Sequence, residues 1–228
     1  MHRDNNNIWE KLYVYNENKN SVNFLSFNHN TNDNNSLQLV VGYNNGILTF
    51  ISFNETNGWN TQLINAHAYG VTSVCWMNSQ QYSKNSSFVT GGNDSNMKLY
   101  EIRSDSNEKV IEISILEKIH VSSIIGIHLF NQNNKQFIAS YDNDDEIYVW
   151  TVSQNDHFNF ESPSPMKFVQ DQKPVGITHL TWSKCGNILS VSTSESVFLY
   201  KYIEGEWCLY SSMNSEGVFD NYEEAINN

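Results

Sequence analysis

Two segments of the chain carry the same set of side chains able to exchange protons. In each, the hydroxyl residue precedes an aspartate by four positions, and the aspartate precedes an aromatic residue by six. A histidine lies upstream of each set. The residues are His67, Thr90, Asp94 and Tyr100 in one segment, and His120, Ser140, Asp144 and Trp150 in the other. A histidine between a hydroxyl and a carboxylate is the arrangement of a hydrolase triad, but it can equally fix a loop when the three groups are buried.

The repetition of the set favours a structural role over catalysis. An enzyme needs one site, whereas a structural device can recur, and the chain contains no G-x-S-x-G nucleophile motif. We therefore predict no catalytic residue. The first and last units lack the full set, because Asn45 and Ser194 stand at the aspartate position and Val41 stands at the hydroxyl position of the first unit.

The sequence also gives no sign of a metal or cofactor site. None of the seven histidines forms an H-x-x-x-H pair or lies near a cysteine at ligand spacing. The acidic run from Asp142 to Glu146 resembles part of a calcium loop but lacks the glycine and the distant glutamate of an EF-hand. We interpret it as a solvated turn between strands.

A repeat of about 50 residues organises the chain. Four segments share an apolar strand, a small or polar turn and an alternating strand that ends on a bulky residue. Those last residues are Ile51, Tyr100, Trp150 and Tyr200, which are 49, 50 and 50 positions apart. An alternating strand precedes each pair and a further strand follows it, and four strands per repeat are typical of β-propeller blades. A β-sandwich is the alternative, but it does not require this period.

The pattern predicts an all-β fold with four four-stranded blades over about residues 21–64, 70–116, 123–169 and 176–212, in a partial propeller domain spanning 1–215. We expect a lone strand over 8–15 before the first blade. The residues 216–228 are acidic, and we expect them to be a disordered tail.

Charge and composition exclude some classes of partner. The formal net charge of −12 argues against nucleic acid as a partner, because phosphate binding needs a basic surface. No apolar run approaches the roughly 20 residues of a membrane-spanning helix, so we expect membrane contact only through other proteins. Cys75, Cys185 and Cys208 are far apart and show no CxxC spacing, which indicates reduced thiols in an intracellular protein.

Two passages resemble a known family of WD-repeat proteins. They are INAHAYGVTSVCW, followed by FVTGGNDSNMKLY, and ITHLTWSKCGNILSVSTSESVFLYKYIEGEWCLYSSMNSEG. Both are similar to the Sec-thirteen family, the small WD-repeat subunit shared by the outer COPII coat and the Y-shaped nuclear pore scaffold. The likeness runs from about Ile8 to Gly217. It departs from the family pattern where Tyr100 and Tyr200 replace tryptophan.

This resemblance implies an open six-bladed propeller, of which the chain holds the later four blades and begins near the end of the second. Two interpretations follow: the chain is a fragment of a longer protein, which we favour, or other chains supply more strands than usual. It implies that the repeated His, Ser/Thr, Asp and aromatic set forms a hydrogen-bonded network inside one blade. The implied partners are the rod-forming COPII outer-coat subunit and a nuclear pore scaffold nucleoporin, joined by strand addition. The implied locations are the cytoplasmic face of the endoplasmic reticulum, the vesicle coat and the nuclear pore. A generic WD-repeat adaptor and the sister pore-only nucleoporin propeller are the alternatives.

Overall fold

Every regular element in the described part of the chain is a β-strand. The computed structural model describes residues 2–3, 9–10, 13–15, 19–29, 37–77, 85–103, 109–132, 135–154, 158–160, 164–165, 173–203, 206–217 and 219–221. Twenty strands in these residues pair antiparallel in five sheets. In these ranges there is no helix long and apolar enough to cross a membrane.

A short N-terminal pair precedes two regular four-stranded sheets, which we call blades I and II. The pair consists of β1 (His2–Arg3) and β2 (Trp9–Glu10). The strands of blade I are β3 (Val22–Phe27), β4 (Leu37–Tyr43), β5 (Ile47–Asn54) and β6 (Gly58–Asn65). The strands of blade II are β7 (Val71–Met77), β8 (Ser86–Gly92), β9 (Met97–Arg103) and β10 (Lys109–Leu116).

The next two sheets, blades III and IV, each have five strands. Those of blade III are β11 (Ile124–Gln132), β12 (Lys135–Asp142), β13 (Ile147–Gln154), β14 (Phe158–Phe160) and β15 (Ser164–Pro165). Those of blade IV are β16 (Ile177–Trp182), β17 (Ile188–Thr193), β18 (Ser196–Ile203), β19 (Glu206–Asn214) and β20 (Phe219–Asn221). Chain order is also sheet order, except that β14 and β15 both pair with β13.

The blades follow one another through their first strands. β3 contacts β7, β7 contacts β11, and β11 contacts β16, whereas β3 and β16 share no comparable contact among the described residues. The predicted all-β, WD-repeat propeller is therefore confirmed, with the ring open between blades I and IV.

All four first strands carry a β-bulge at the same place. The pairing register shifts by one residue at the second position of each strand, so that this residue has no partner on the neighbouring strand. The bulged residues are Asn23, Thr72, Ile125 and Thr178. A bulge bends a strand and increases its twist. Its recurrence shows that the four units share one backbone design, which the sequence alternation alone does not reveal.

The apolar core lies between the blades, because both faces of each inner sheet carry apolar side chains. Val40 and Phe50 of blade I pack with Val74 and Trp76 of blade II. Blades II and III meet in a second cluster, and blades III and IV meet in a third around Tyr141, Leu180 and Tyr200. Each buried aliphatic or aromatic side chain of this kind contributes about 1.5–3 kcal/mol.

Tryptophans at the end of two first strands also join neighbouring blades. The indole Nε1 of Trp76 donates to the Ser26 carbonyl at 3.0 Å, and that of Trp182 donates to the His128 carbonyl at 3.3 Å. Further out, the side chain of Gln62 exchanges two hydrogen bonds with the backbone of Val110. These polar contacts fix the position of one blade on the next.

The structure differs from the sequence prediction at the N-terminal strand and in the tail. Among the described residues of the expected lone strand 8–15, Trp9–Glu10 is a strand, whereas Tyr13 and Tyr15 lie outside any strand and pack their rings on blade I. The expected outer strand 166–169 of blade III falls outside the described residues. The expected disordered tail contains β20, which pairs with the exposed edge of β19.

Candidate functional site

In blade III, His120, Ser140 and Trp150 of the predicted set form a continuous chain of hydrogen bonds with Asp142. Trp150 Nε1 donates to Ser140 Oγ at 2.8 Å, and Ser140 Oγ lies 2.8 Å from His120 Nε2. His120 Nδ1 lies 2.9 Å from Asp142 Oδ2. Strands β12 and β13 carry Ser140 and Trp150, and the loop before β11 carries His120. The network therefore joins three segments of one blade.

The tryptophan determines the direction of these hydrogen bonds. An indole N–H can only donate, so Ser140 accepts from Trp150 and is free to donate its own hydrogen to His120 Nε2. A histidine that accepts at Nε2 carries its hydrogen on Nδ1 and donates it to Asp142. The arrangement is complete with a neutral imidazole, and every polar group has a partner.

Blade II repeats the arrangement with one difference. His67 Nδ1 lies 2.8 Å from Asp94 Oδ1, and His67 Nε2 lies 2.9 Å from Thr90 Oγ1. The other carboxylate oxygen of Asp94 accepts from the Ala68 amide at 2.9 Å. Tyr100 occupies the position of the tryptophan, but its hydroxyl donates to Glu112 Oε2 at 3.3 Å instead of to the threonine. The predicted link from the hydroxyl to the aromatic residue is wrong for Tyr100.

The prediction for Asp144 is also wrong, because Asp142 is the partner of His120. Asp144 is exposed. The cause is the residue that begins the turn. Blade II has Gly92 there, where a Cβ atom would lie 2.4 Å from His67 Nδ1, so the space is left for Asp94. Blade III has Asp142 at that position, and its carboxylate fills the space next to the histidine. In the sequence, the presence of an aspartate two residues after Ser140 could have identified Asp142 as the partner of His120.

Neither trio can act as a hydrolase triad. The side chains of Thr90 and Ser140 are completely buried, and Ser140 Oγ already accepts a hydrogen bond from Trp150. A nucleophile must reach a substrate carbonyl, and these hydroxyls face only their own blade. No group of three or more His, Cys, Asp or Glu side chains that could hold a metal ion occurs in the described ranges.

Burial also sets the protonation of the two histidines. Desolvation lowers the pKa of His67 and of His120 below the ordinary value of 6.5, although the neighbouring carboxylates raise it in part. The pKa of Asp94 is lowered by the backbone amide of Ala68 and by His67, against the opposing effect of its burial. Both networks thus contain a neutral histidine at neutral pH, and in blade II it faces an ionised Asp94.

The two aspartates of blade III should respond very differently to substitution. Asp142 is buried and accepts from His120 and from the amides of Asp144 and Glu146. We expect Asp142→Ala to lower the free energy of unfolding by about 2–4 kcal/mol, because it leaves buried donors without an acceptor. Asp144→Ala, the matched control, should change it by less than about 0.5 kcal/mol. Urea unfolding measures both, and equal losses would contradict the assignment.

The buried histidines should make the fold sensitive to mild acid. His67 and His120 have lowered pKa values, and burial together with His179 lowers the pKa of His128 to about 4. Below pH 6.5 the unfolded chain therefore binds protons that the folded chain does not. Each histidine should reduce the free energy of unfolding by up to about 1.4 kcal/mol per pH unit as the pH falls from 6.5 towards its folded pKa. Urea unfolding at pH 7.5 and pH 5.5 tests this, and identical free energies would rule it out.

Blades I and IV replace the network with simpler contacts. In blade I, Asn45 Oδ1 accepts from the Ile47 amide at 3.3 Å within the exposed turn. In blade IV, Thr193 occupies the register position of Asp142, and its hydroxyl oxygen accepts from the amides of Glu195 and Ser196. Among the described residues, no histidine side chain bonds to either turn, although the Gly46 carbonyl in the turn of blade I accepts the backbone amides of Ala66 and His67.

The outward face of blade I exposes side chains that are buried in the other blades. Strand register makes Leu25 equivalent to Val74, Ile127 and Leu180, and makes Phe27 equivalent to Trp76. Val74 is 3% exposed and Trp76 is 7% exposed, because the preceding blade covers them. Leu25 is 58% exposed and Phe27 is 41% exposed. Blade I thus presents the surface that receives a preceding blade in the other three.

A short N-terminal segment covers only part of this open face. Tyr13 stacks on Trp59 with ring centroids 4.3 Å apart, and Tyr15 packs against the cluster of Val41, Tyr43 and Ile51. Leu25, Phe27 and Leu63 remain exposed beside it. An exposed apolar surface of this extent is typical of a protein interface.

Comparison with known proteins agrees with this architecture. The family model described as "WD domain, G-beta repeat" matches residues 58–101. Protein transport protein sec13 of Aspergillus fumigatus is 25% identical over 212 residues, which cover 87% of this chain and 65% of that protein. Protein transport protein SEC13-2 of Candida glabrata is 24% identical over 184 residues, covering 75% of this chain and 59% of that protein. The SEC13 homolog of Caenorhabditis briggsae is 26% identical over 176 residues, covering 75% of this chain and 55% of that protein.

The chain spans less than two thirds of the length of these three relatives. The likeness nevertheless extends over several blades, since the longest of the three matches covers 87% of the chain. The WD repeat, the four successive sheets and the relatives together show that this chain is similar to Sec13 proteins and has the architecture of an open WD-repeat β-propeller.

Proposed function

We propose that the protein is a structural scaffold subunit that acts in COPII coat assembly, for transport from the endoplasmic reticulum to the Golgi, and in the nuclear pore scaffold. Two of the relatives described above, those of Aspergillus fumigatus and Candida glabrata, are protein transport proteins by name. We place the protein on the cytoplasmic face of the endoplasmic reticulum, in the vesicle coat and at the nuclear pore. We propose no enzymatic activity, no cofactor and no nucleic-acid partner.

The observation that carries the proposal is the open face of blade I. Leu25 lies at a position that is buried in every other blade, and Phe27 lies at the position of the buried Trp76, so the surface has the chemistry of a blade interface. A preceding blade of a longer chain or strands from a partner could cover this surface, and we propose that a partner contributes strands that pack there as a further blade. Main-chain hydrogen bonds within those strands and alternating side chains against blade I would supply affinity and specificity.

Rigidity of the blades supports a scaffold role. The hydrogen-bonded networks of blades II and III and the tryptophan donors Trp76 and Trp182 hold loops and neighbouring sheets in fixed positions. A buried and fully paired network stiffens its surroundings. A subunit of this kind contributes geometry to an assembly, and the proposed partners are the rod-forming outer-coat subunit and a pore scaffold nucleoporin.

Affinity purification of the endogenous protein tests the proposal. We expect the rod-forming COPII outer-coat subunit, a pore scaffold nucleoporin, or both to be recovered in near-equal amounts with the protein. Recovery of neither would contradict the proposed function. Recovery of ubiquitin ligase or signalling components in their place would indicate a WD-repeat adaptor.

A further inference from the structure

Blade I contains two Asn-Gly dipeptides whose surroundings differ. Asn45-Gly46 lies in the turn between β4 and β5, and Asn57-Gly58 lies at the turn between β5 and β6. The sequence contains no other Asn-Gly dipeptide. Both glycines have a positive φ, of 82° and 73°. Because the dipeptide and the conformation of its glycine are alike, a difference in reactivity between the two sites must come from the packing around them.

An asparagine that precedes glycine can lose its side-chain amide without an enzyme. The backbone nitrogen of the glycine attacks the asparagine Cγ and forms a C–N bond. The bond from Cγ to the side-chain nitrogen breaks, and ammonia leaves with the proton of the backbone amide. Water then opens the cyclic imide at either C–N bond, which gives aspartate or isoaspartate. Glycine favours the attack because it has no side chain to obstruct it and its backbone is conformationally free.

The packing of Gly46 opposes this reaction at Asn45. Gly46 is buried, and its amide nitrogen, the nucleophile, donates to the Tyr43 carbonyl at 3.2 Å. The Gly46 carbonyl accepts the amides of Ala66 and His67, each at 3.0 Å. The peptide group must turn before its nitrogen can reach Asn45 Cγ, and that rotation would break these hydrogen bonds. The attack therefore requires that the loop 66–70 first move away from the turn.

The turn of Asn57 lacks this packing. The Asn57 side chain is exposed and has no hydrogen-bond partner among the described residues. Apart from its chain neighbours, no described atom lies within 4 Å of a Cβ built on Gly58. Gly58 and Asn54 form the last pair of the β5–β6 ladder, and Asn54 Oδ1 accepts from the amide and the hydroxyl of Thr56 within the same turn. The end of a hairpin opens locally at little cost in free energy.

We propose that Asn57 is a site of spontaneous deamidation in the folded protein, whereas the loop 66–70 protects Asn45 from the same reaction. Water is the only reactant that the chain itself does not supply. The product is a mixture of aspartate and isoaspartate, which adds a negative charge close to the exposed Glu55. This inference rests on the two turns alone and is independent of the function proposed above.

The modified turn adjoins the open face of blade I. Trp59 follows Gly58, and its ring centroid lies 4.3 Å from that of Tyr13 and 5.0 Å from that of Phe53. In isoaspartate the backbone passes through the side-chain carbons, which inserts an additional carbon into the chain before Gly58. We expect this insertion to shift the start of β6 against β5 and to displace Trp59 from its contact with Tyr13.

Peptide mapping by mass spectrometry tests the proposal on the full chain. The protein is incubated at neutral pH below its unfolding transition, and the fraction of each Asn-Gly peptide that has exchanged NH2 for OH is followed with time. We expect deamidation about tenfold faster, or more, at Asn57 than at Asn45 in the folded chain, and similar rates at both sites in guanidinium chloride. The control variant Asn57→Gln should abolish the mass change in its own peptide and leave Asn45 unaffected, because glutamine closes a larger ring more slowly.

The rates in the folded chain decide the outcome. Equal rates at the two sites would show that the loop 66–70 does not protect Asn45, and a faster reaction at Asn45 would reverse the assignment. No reaction at Asn57, over a time in which the unfolded chain is converted, would show that the folded turn does not reach the geometry of attack. Because the incubation stays below the unfolding transition, equal rates could not be attributed to unfolded chains. Asn57→Gln should leave thermal unfolding unchanged, since the side chain is exposed.

Discussion

Gly46→Ala is expected to destabilise the protein by about 3–5 kcal/mol, which is a large part of the stability of a typical domain. Gly46 has a φ of 82°, and a Cβ atom there would lie 2.1 Å from the His67 carbonyl oxygen and 2.4 Å from that of Tyr69. These are backbone atoms that cannot rotate away. The Gly46 carbonyl also accepts the amides of Ala66 and His67, so the segment is held from both sides.

Gly58→Ala is the matched control for this substitution. Gly58 has a φ of 73°, close to that of Gly46, but no atom lies within 4 Å of its added Cβ. The Gly58→Ala variant should lower the free energy of unfolding by only about 1–2 kcal/mol, which is the cost of a left-handed backbone for alanine. Urea unfolding of the two variants separates the steric clash from the backbone strain. Equal losses would show that the loop 66–70 can move away from blade I.

The variant Leu25→Asp/Phe27→Asp is expected to abolish recovery of the scaffold partner while leaving the stability of the chain nearly unchanged. Both side chains are largely exposed in the chain alone, so their replacement removes little burial. In the assembly they would be covered by a neighbouring sheet, and burying two unpaired carboxylates there is prohibitive. Affinity purification from cells and thermal unfolding measure the two effects.

Tyr202→Asp serves as the control, because Tyr202 is exposed on β18 of blade IV, far along the series from the open face. It should leave the recovery of the partner unchanged. Unchanged recovery with the blade I variant would show that the partner binds elsewhere. A large loss of stability in that variant would show that Leu25 and Phe27 are packed within the chain itself.

The repeat and the strands could be predicted from the sequence because their signals are local. Alternating apolar residues from Ser21 to Phe27 and from Gly70 to Trp76 predicted first strands that the structure places at Val22–Phe27 and Val71–Met77. The spacing of the bulky last residues predicted the blades. Both signals reflect the periodicity of a strand with two distinct faces.

The partner of His120 could not be obtained from spacing alone. The matched interval from the hydroxyl to the aspartate in the two segments favoured Asp144, but the choice depends on whether the residue that begins the turn has a side chain. Gly92 leaves the space open in blade II, and Asp142 fills it in blade III. The contact across the turn determines which aspartate binds the histidine, and the periodicity of the sequence does not predict that contact.

The exposure of Leu25 and Phe27 on the open face of blade I also could not be predicted from the alternation of apolar residues. Leu25 and Phe27 show the same alternation as Val74 and Trp76, so the pattern does not distinguish the exposed pair from the buried pair. Only the arrangement of the sheets shows that nothing in the described residues covers the first pair as blade I covers the second. The N-terminal segment was predicted as a strand, yet Tyr13 and Tyr15 instead use their rings to cover the far side of the same face.

Site-specific photocross-linking at position 27 tests the central claim most directly. Benzoylphenylalanine would replace Phe27 in the full-length protein in its own cells, with the same substitution at Tyr202 as the control. The account predicts a covalent adduct between position 27 and a rod-forming scaffold partner, and no such adduct from position 202. An adduct within the protein's own chain, or none at all, would contradict the claim that a partner completes the open propeller at blade I.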